Sequence, residues 1–402
     1  MKKKKLMILG GSILQLPAIE KAKELGLEVI VVDMNPKAVG FNVSGVRKEV
    51  ISTIDIEAVL EAAREHKIDG IMTLASDMPM NTVAKVSEEL KLTGISCDTA
   101  LRATNKAEMR RSLLQHDIAI PKFFKVANVD EFLEKISNFS QPFIVKPADN
   151  SGSRGIFKVQ NLKDLSQALE VYNFAKSFSK SGIVVVEEFM DGPEVSVESI
   201  TIQGVTHILQ ITDKETTGAP NFVEIGHVQP SRLPLKTIQE IEKLTIAANK
   251  ALKIDTGPSH TEIIITPDGA KIVEVGARMG GDNITTHLVP LSTGVDMVEL
   301  SIKIALGEKV TFQPLFTRGS AIKYFEQSKG ALKKISGLHD AKQLPGVQKI
   351  EFVHGIGATI DAIINSSSRI GYVIADGNNA EEAVKNCQKA ISEIEIEIEK
   401  EK

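Results

Sequence analysis

The sequence predicts an α/β first domain on a doubly wound parallel sheet, followed by an α+β region dominated by antiparallel pairing. Apolar runs at residues 5–9 and 27–32, each followed by helical spacing, make strands and helices alternate at the start of the chain. From residue 105 that alternation gives way to strands joined by short turns, among them Pro267-Asp268-Gly269.

The first run ends at Gly10-Gly11, and Pro17, Ile19, Ala22 and Leu25 keep helical spacing until Gly26 stops it. A second strand, a helix over 57–65, a strand over 69–77 and a helix over 83–90 follow, with a boundary near residue 100. The second domain opens with a helix over 106–117, then a strand around 123–126, a helix over 129–137, the apolar run 143–148 and a glycine-serine loop. Strands over 183–189 and 195–202 come next, then a polar, Gly/Pro-containing stretch from Asp213 to Pro234 and a helix over 237–252. Strands over 260–266 and 271–276 form a hairpin, and a helix over 294–306 closes the domain. A third section from about Thr311 carries strand segments, a helix over 380–394 and a period-two Glu/Ile tail.

At about 100–200 residues per domain, a chain of 402 residues predicts two to four packed units. With 42% apolar and 25% charged residues, disorder is excluded. A net charge of −4, both signs interspersed, provides no basic field for nucleic acid phosphates, so small-molecule chemistry is expected. Cys97 and Cys387 are far apart and have no CxxC partner, which excludes a disulfide framework or a zinc site and points to a reducing compartment. The basic start imitates a signal peptide, but its apolar run breaks at Gly10-Gly11, Gln15 and Pro17, so it reads as a first strand. No stretch approaches the roughly 20 apolar residues that span a bilayer; a cytoplasmic protein with no membrane partner is expected.

Several familiar sites are missing. Gly10-Gly11-Ser12 does not complete GxGxxG, and GxxxxGK[ST], GxSxG and HExxH do not occur. Asp33 ends the second strand, where a dinucleotide fold would hold ribose; a solvated turn aspartate is the other reading.

The second domain is richer. Lys146 ends a strand beside Asp149 to Gly155, so a cation adjoins a loop whose small residues admit an anion, or else the lysine is a surface residue before a turn. Glu187-Glu188-Phe189-Met190 follows three valines, and an adenine could account for two carboxylates beside a core, with Glu194 on ribose; strand alternation with a lysine partner is the alternative. Glu262 and Glu274 lie on two arms of the hairpin, where facing carboxylates call for Mg²⁺ or for pairing with Lys271 and Arg278. Arg278 adds a planar donor fork for phosphate or carboxylate. His260 shares a strand face with Glu262; His227 and Asp282 are candidates for the substrate pocket, beside structural roles for either histidine.

The order of lysine, glycine loop, Glu-Glu hinge, then Glu, Glu and Arg on late strands resembles the ATP-grasp superfamily across essentially the whole chain. Biotin carboxylase, the carbamoyl-phosphate synthetase large subunit, glycinamide ribonucleotide synthetase and the L-amino acid ligases share this plan. The resemblance implies an N-terminal pre-ATP-grasp domain over 1–104, an ATP-grasp domain over 105–310 with a lid at about 120–190, and a biotin-carboxylase-like C-terminal domain over 311–402. Residues 369–384 look like the C-terminal domain of that group. Carried over by position, it implies that Lys106 and Lys146 contact ATP phosphates and that Ser151, Gly152, Ser153 and Gly155 close over them. It further implies that Glu187, Glu188, Phe189 and Met190 form the adenine hinge, Glu194 the ribose site, Glu262 and Glu274 the Mg²⁺ (or Mn²⁺) ligands, and Arg278 the arginine near an acyl phosphate. Gly276 stands where many members have Asn, a departure from the family pattern at the third protein ligand that leaves one or two metal ions open.

The segment 274–282 with 257–263 is most similar to the amino-acid-ligase-like and carbamoyl-phosphate-synthetase-like branch, with Gly280, Gly281 and Asp282 near the substrate. An ATP-dependent carboxylate–amine ligase releasing ADP is therefore expected, acting on a small carboxylate and an amine, with a homodimer implied by the family. The alternatives are a purine-pathway or carbamoyl-forming ligase, disfavoured because Gly10–Gln15 and Ser76–Met80 contain no basic residue, and a non-catalytic nucleotide-binding regulator.

Overall fold

The computed structural model describes residues 3–140, 142–150, 152, 154–162, 164–218 and 221–399. Strands β1 (Lys5–Leu9), β2 (Glu28–Val32), β3 (Arg47–Glu49) and β4 (Gly70–Met72) form one sheet in the order β3-β2-β1-β4, every pairing parallel. Strands β1, β2 and β4 are buried on both faces, as the crossover helices α1 (Leu16–Glu24) and α2 (Ile56–His66) require, while β3 is a short exposed edge. Only three residues of the run expected over 69–77 pair as a strand; the rest turns out at the sheet's C-terminal edge, where open α/β sheets bind ligands.

Strands β5 (Phe123–Val126), β6 (Phe143–Pro147), β7 (Phe157–Val159) and β8 (Val184–Glu188) make a four-stranded antiparallel sheet in the order β5-β8-β6-β7, packed on helices Val129–Ile136 and Leu165–Ser177. Its small core holds Phe132, Phe143, Val145, Tyr172 and Val186.

The largest sheet comes from strands β9 (Glu194–Ile202), β10 (Val205–Thr216), β11 (Glu224–Gln229), β12 (Gly257–Thr266), β13 (Gly269–Gly276), β14 (Gly319–Tyr324), β16 (Val347–Phe352) and β18 (Gly371–Gly377), in the order β13-β12-β9-β10-β11-β14-β18-β16. It runs without a break across residue 311, the expected start of the third section. The strands between and after, β15 (Gly330–Ser336), β17 (Thr359–Ile360) and β19 (Glu395–Glu399), form a separate three-stranded sheet. In β19 the period-two tail turns Ile396 and Ile398 to the apolar core under helix Ala380–Ser392.

The polar stretch from Asp213 to Pro234 is not all loop. It contains the end of β10 and the whole of β11, whose mixed composition hid a strand paired on both sides by β10 and β14. Helix Met297–Ala305 closes the second domain in sequence but packs on the first: Val298 and Ile302 share a core with Leu6, Ile8 and Ile19. One core likewise joins Met7 and Leu9 to Val195, Ile263 and Ile272, so the parallel sheet and the large sheet share buried apolar packing. No helix of the described residues is long and apolar enough to cross a membrane.

Candidate active site

Between these sheets lies a cavity of about 910 Å³, lined by loops of the first sheet, by β6 and β8, and by strands β9 to β13. Its cationic end begins at Asn105, whose side chain caps the helix Lys106–Leu114 by accepting from the Ala107 and Glu108 N–H groups. The Lys106 N–H donates to the Ala148 carbonyl at 2.7 Å, which ties that helix to the end of β6. The Lys106 ammonium donates to the Asn150 carbonyl at 2.7 Å and lies 3.1 Å from Glu274. Lys146 is buried and pairs with Glu187 at 2.7 Å; burial lowers its pKa. Gly152 and Gly155 both have left-handed φ, and a Cβ on Gly155 would press into Phe178 at 2.7 Å. Ser151 and Ser153 lie outside the described residues.

Both hinge carboxylates have cationic partners. Arg110 grips Glu187 through Nε at 2.7 Å and Nη2 at 3.3 Å. Burial opposes ionisation of Glu187, but Arg110 and Lys146 outweigh it and hold the pKa at about 2. Glu188 pairs with Lys271 at 2.7 Å, the lysine partnership that strand alternation allowed. Phe189 lies under the Lys158 ammonium, 3.4 Å from its ring centroid, and Met190 lines the cavity.

On the large sheet, Glu262 and Glu274 are register partners across β12 and β13. Neither pairs with Lys271 or Arg278: Lys214 of β10 lies 2.8 Å from Glu262, and Lys106 reaches Glu274. Lys214 also pairs with Glu194 and lies 3.6 Å from Glu224, and these carboxylates raise its pKa well above the usual lysine value although burial opposes them. His260 shares the Glu262 face, with Nδ1 2.5 Å from Glu198 and Nε2 3.6 Å from Glu262. Burial lowers the His260 pKa, but the Glu198 carboxylate dominates and lifts it to about 9.

Arg278 donates from Nε and Nη2 to both oxygens of Asp77, at 2.8 and 3.0 Å, which joins the first-sheet loop to the late strands. Gly276 leaves room for this pair, since a Cβ there would lie 3.1 Å from the guanidinium carbon. Gly280 sits against His260 and Glu198, with 2.7 and 2.8 Å available to a Cβ, and donates its N–H to Glu198. Gly281 lines the cavity with open space beside it. Asp282 and His227 meet at 3.3 Å, and Arg369 clamps both Asp282 oxygens at 2.7 and 2.8 Å.

The cavity therefore gathers Lys106, Lys146, Gly152, the hinge, Glu194, Glu262, Glu274, Arg278, His227, His260, Gly281 and Asp282; Gly155 and Gly280 stand behind its surface. Lys214, Asp77, Arg110, Glu198 and Arg369 were not singled out from sequence. Glu198 had a signal, because Glu194, Ser196 and Glu198 alternate on one strand face. The other four are recognised only through partners distant in the chain.

Two hard carboxylates on adjacent strands, each now matched by an ammonium, suit Mg²⁺ completed by phosphate and water.

Comparison with known families decides the class. The ATP-grasp N-terminal domain matches residues 19–94, the ATP-grasp domain residues 139–287, and the L-amino acid ligase C-terminal domain 2 residues 324–399, in the order this architecture requires. The chain belongs to the ATP-grasp superfamily. It is an ATP-dependent carboxylate–amine ligase that forms carbon–nitrogen bonds, with ATP and Mg²⁺ as cofactors. The ligase is similar to an L-amino acid ligase from Bacillus licheniformis, at 28% identity and a TM-score of 0.85 with 100% of each chain covered. It is also similar to phosphoribosylamine–glycine ligase from Caldanaerobacter subterraneus, at 24% identity over 86% of each chain. The biotin carboxylase domain of 2-oxoglutarate carboxylase from Hydrogenobacter thermophilus, in complex with MgADP, has the same fold at 19% identity and a TM-score of 0.78, covering 100% of this chain and 92% of its own.

Proposed function

We propose that the ligase joins an amino acid to a second amine by way of an acyl phosphate, with Arg278 and the Glu262–Glu274 pair at the reacting end of the cavity. The supporting observation is that these three residues and the two lysines of the nucleotide end line one continuous cavity. The likeness to an L-amino acid ligase over the full chain supports the amino acid as substrate.

In this reading Lys106 and Lys146 balance phosphate charge, and the loop from Ser151 to Gly155 shields the phosphates from water. The segment Glu187–Met190 receives adenine along its backbone, because the Glu187 carboxylate is held by Arg110 and Lys146. Glu194 receives ribose. Glu262 and Glu274 would hold Mg²⁺, which supplies charge neutralisation for phosphoryl transfer. The substrate carboxylate attacks the γ-phosphorus and ADP leaves; the amine then attacks the acyl carbon and phosphate leaves. Arg278, on the loop after β13, is oriented by Asp77 and lends its positive charge to the substrate carboxylate and to the acyl phosphate formed from it. Such catalysis rests on positioning and needs no protein nucleophile.

The test is ADP release from ATP and Mg²⁺ with L-amino acids supplied in pairs, together with hydroxylamine as a trap that converts an activated carboxylate to a hydroxamate. Wild-type chain should give ADP, a dipeptide and a hydroxamate. Glu274→Ala should lower turnover by about 10²–10³-fold with unchanged circular dichroism. Near-native turnover in that variant would remove the metal role, and ADP without hydroxamate would remove the acyl phosphate.

A further inference from the structure

The cavity wall built by the first sheet is rich in exposed apolar side chains. Leu14, Met34 and Met78 are 48%, 71% and 39% exposed, and each lies on a different loop, after β1, β2 and β4 respectively. Scattered apolar surface residues are ordinary, but these three, with Pro79, converge on one cavity. The wall is braced: Ser12 donates to the Gln15 side chain at 2.6 Å, and Gln15 donates to Ser76 at 3.0 Å, linking the loops after β1 and β4.

The same wall presents no lysine or arginine to the cavity. Asp33 accepts from the Gly11 and Asn35 N–H groups, and Asp77 is held by Arg278. Because Met78 follows Asp77 in sequence, the apolar surface adjoins the guanidinium that would receive a carboxylate.

We propose that Leu14, Met34, Met78 and Pro79 seat the side chain of one substrate, which makes that substrate an amino acid with an apolar side chain and no phosphate. This rests on the carboxylate–amine ligase reading. A phosphorylated amine would meet no cation on this wall, and an anionic side chain would lose water without gaining a partner.

The experiment measures initial ADP release by the full chain with ATP and Mg²⁺. Pairs containing leucine, methionine or phenylalanine are compared with pairs limited to lysine and aspartate, and with O-phosphoethanolamine as the amine. Apolar pairs should turn over at least about tenfold faster, and Met34→Lys or Met78→Lys should each cut kcat/KM for them about tenfold with the KM for ATP unchanged. Met34 is exposed enough that its substitution leaves folding intact. Turnover confined to charged or phosphorylated substrates, or indifferent to both variants, overturns the proposal and leaves the ligase reading standing. Silence with every pair overturns both.

Discussion

The two walls of the cavity use opposite chemistry. The wall from the second sheet and the large sheet is a chain of buried ion pairs: Arg110–Glu187–Lys146, Lys106–Glu274, Lys214 among Glu194, Glu224 and Glu262, and Glu198–His260. The wall from the parallel sheet offers methionines, a leucine, a proline and backbone-bound Asp33, and it meets the charged wall at Asp77–Arg278. A triphosphate with its cation needs dense, preorganised charge, whereas an apolar side chain needs surface without unpaired polar groups. In the proposed reading nucleotide takes one side and the variable substrate the other, with the reacting atoms along the seam.

The strongest way to break this contrast is to remove one charge from the ionic wall. Glu187 is almost fully buried between Arg110 and Lys146, so Glu187→Gln strands two cations and should destabilise the protein by about 3–5 kcal/mol at neutral pH. The pH dependence has a definite sign. Because the folded-state pKa is depressed from 4.5 to about 2, the carboxylate's contribution is complete above about pH 4.5 and is lost as pH falls toward 2. Urea unfolding at pH 7 and at stepped lower values should show the gap between wild type and variant closing in that window. A gap independent of pH would mean that packing, not charge, holds this wall together.

The same division separates what sequence revealed from what it hid. Apolar period and turn chemistry expose the parallel sheet and the β12–β13 hairpin, but regular hairpin pairing would set Glu262 against Val273, and it is a bulge between Glu262 and Ile263 that brings Glu274 opposite it. Both signals act within a few dozen residues. Lys214 and Asp77 give no local signal, because their meaning comes from Glu262, two strands away in the same sheet, and from Arg278, which follows β13 of a different sheet, at separations of 48 and 201 residues. Strand β11 was hidden for a related reason: its Glu224 and His227 face the cavity, so the apolar alternation that marks a half-buried strand is broken where function enters. Nothing local in β14 announces that it pairs with β11, so the continuity of the large sheet into the third section is not legible in the sequence.

A smaller effect is expected where the C-terminal residues reach the seam. Arg369 holds Asp282 with two hydrogen bonds while its guanidinium stacks 3.7 Å from the Tyr324 ring centroid. Asp282 and the following Asn283 both have left-handed φ, so the clamp fixes a turn that non-glycine residues disfavour. Arg369→Met should cost about 1.5–3 kcal/mol and raise the KM for amino acid more than the KM for ATP. Adding Asp282→Asn should restore much of the stability, because it removes the stranded carboxylate. If the KM for ATP rises instead, the turn serves the nucleotide side and the seam must be redrawn.

The smallest effect should come from Asp33, the acidic residue of the apolar wall. Its oxygens accept from the Gly11 and Asn35 N–H groups at 2.7 and 2.8 Å, which makes it a turn-bracing residue. Asp33→Ala removes both bonds from a partly exposed site, so a loss of about 1 kcal/mol in urea unfolding is expected. The KM for ATP should not change. In a dinucleotide-binding sheet an acid at this strand end would hold ribose, and its removal would weaken nucleotide binding. A tenfold rise in the KM for ATP on Asp33→Ala would therefore place nucleotide against the parallel sheet and reverse the assignment of the two walls.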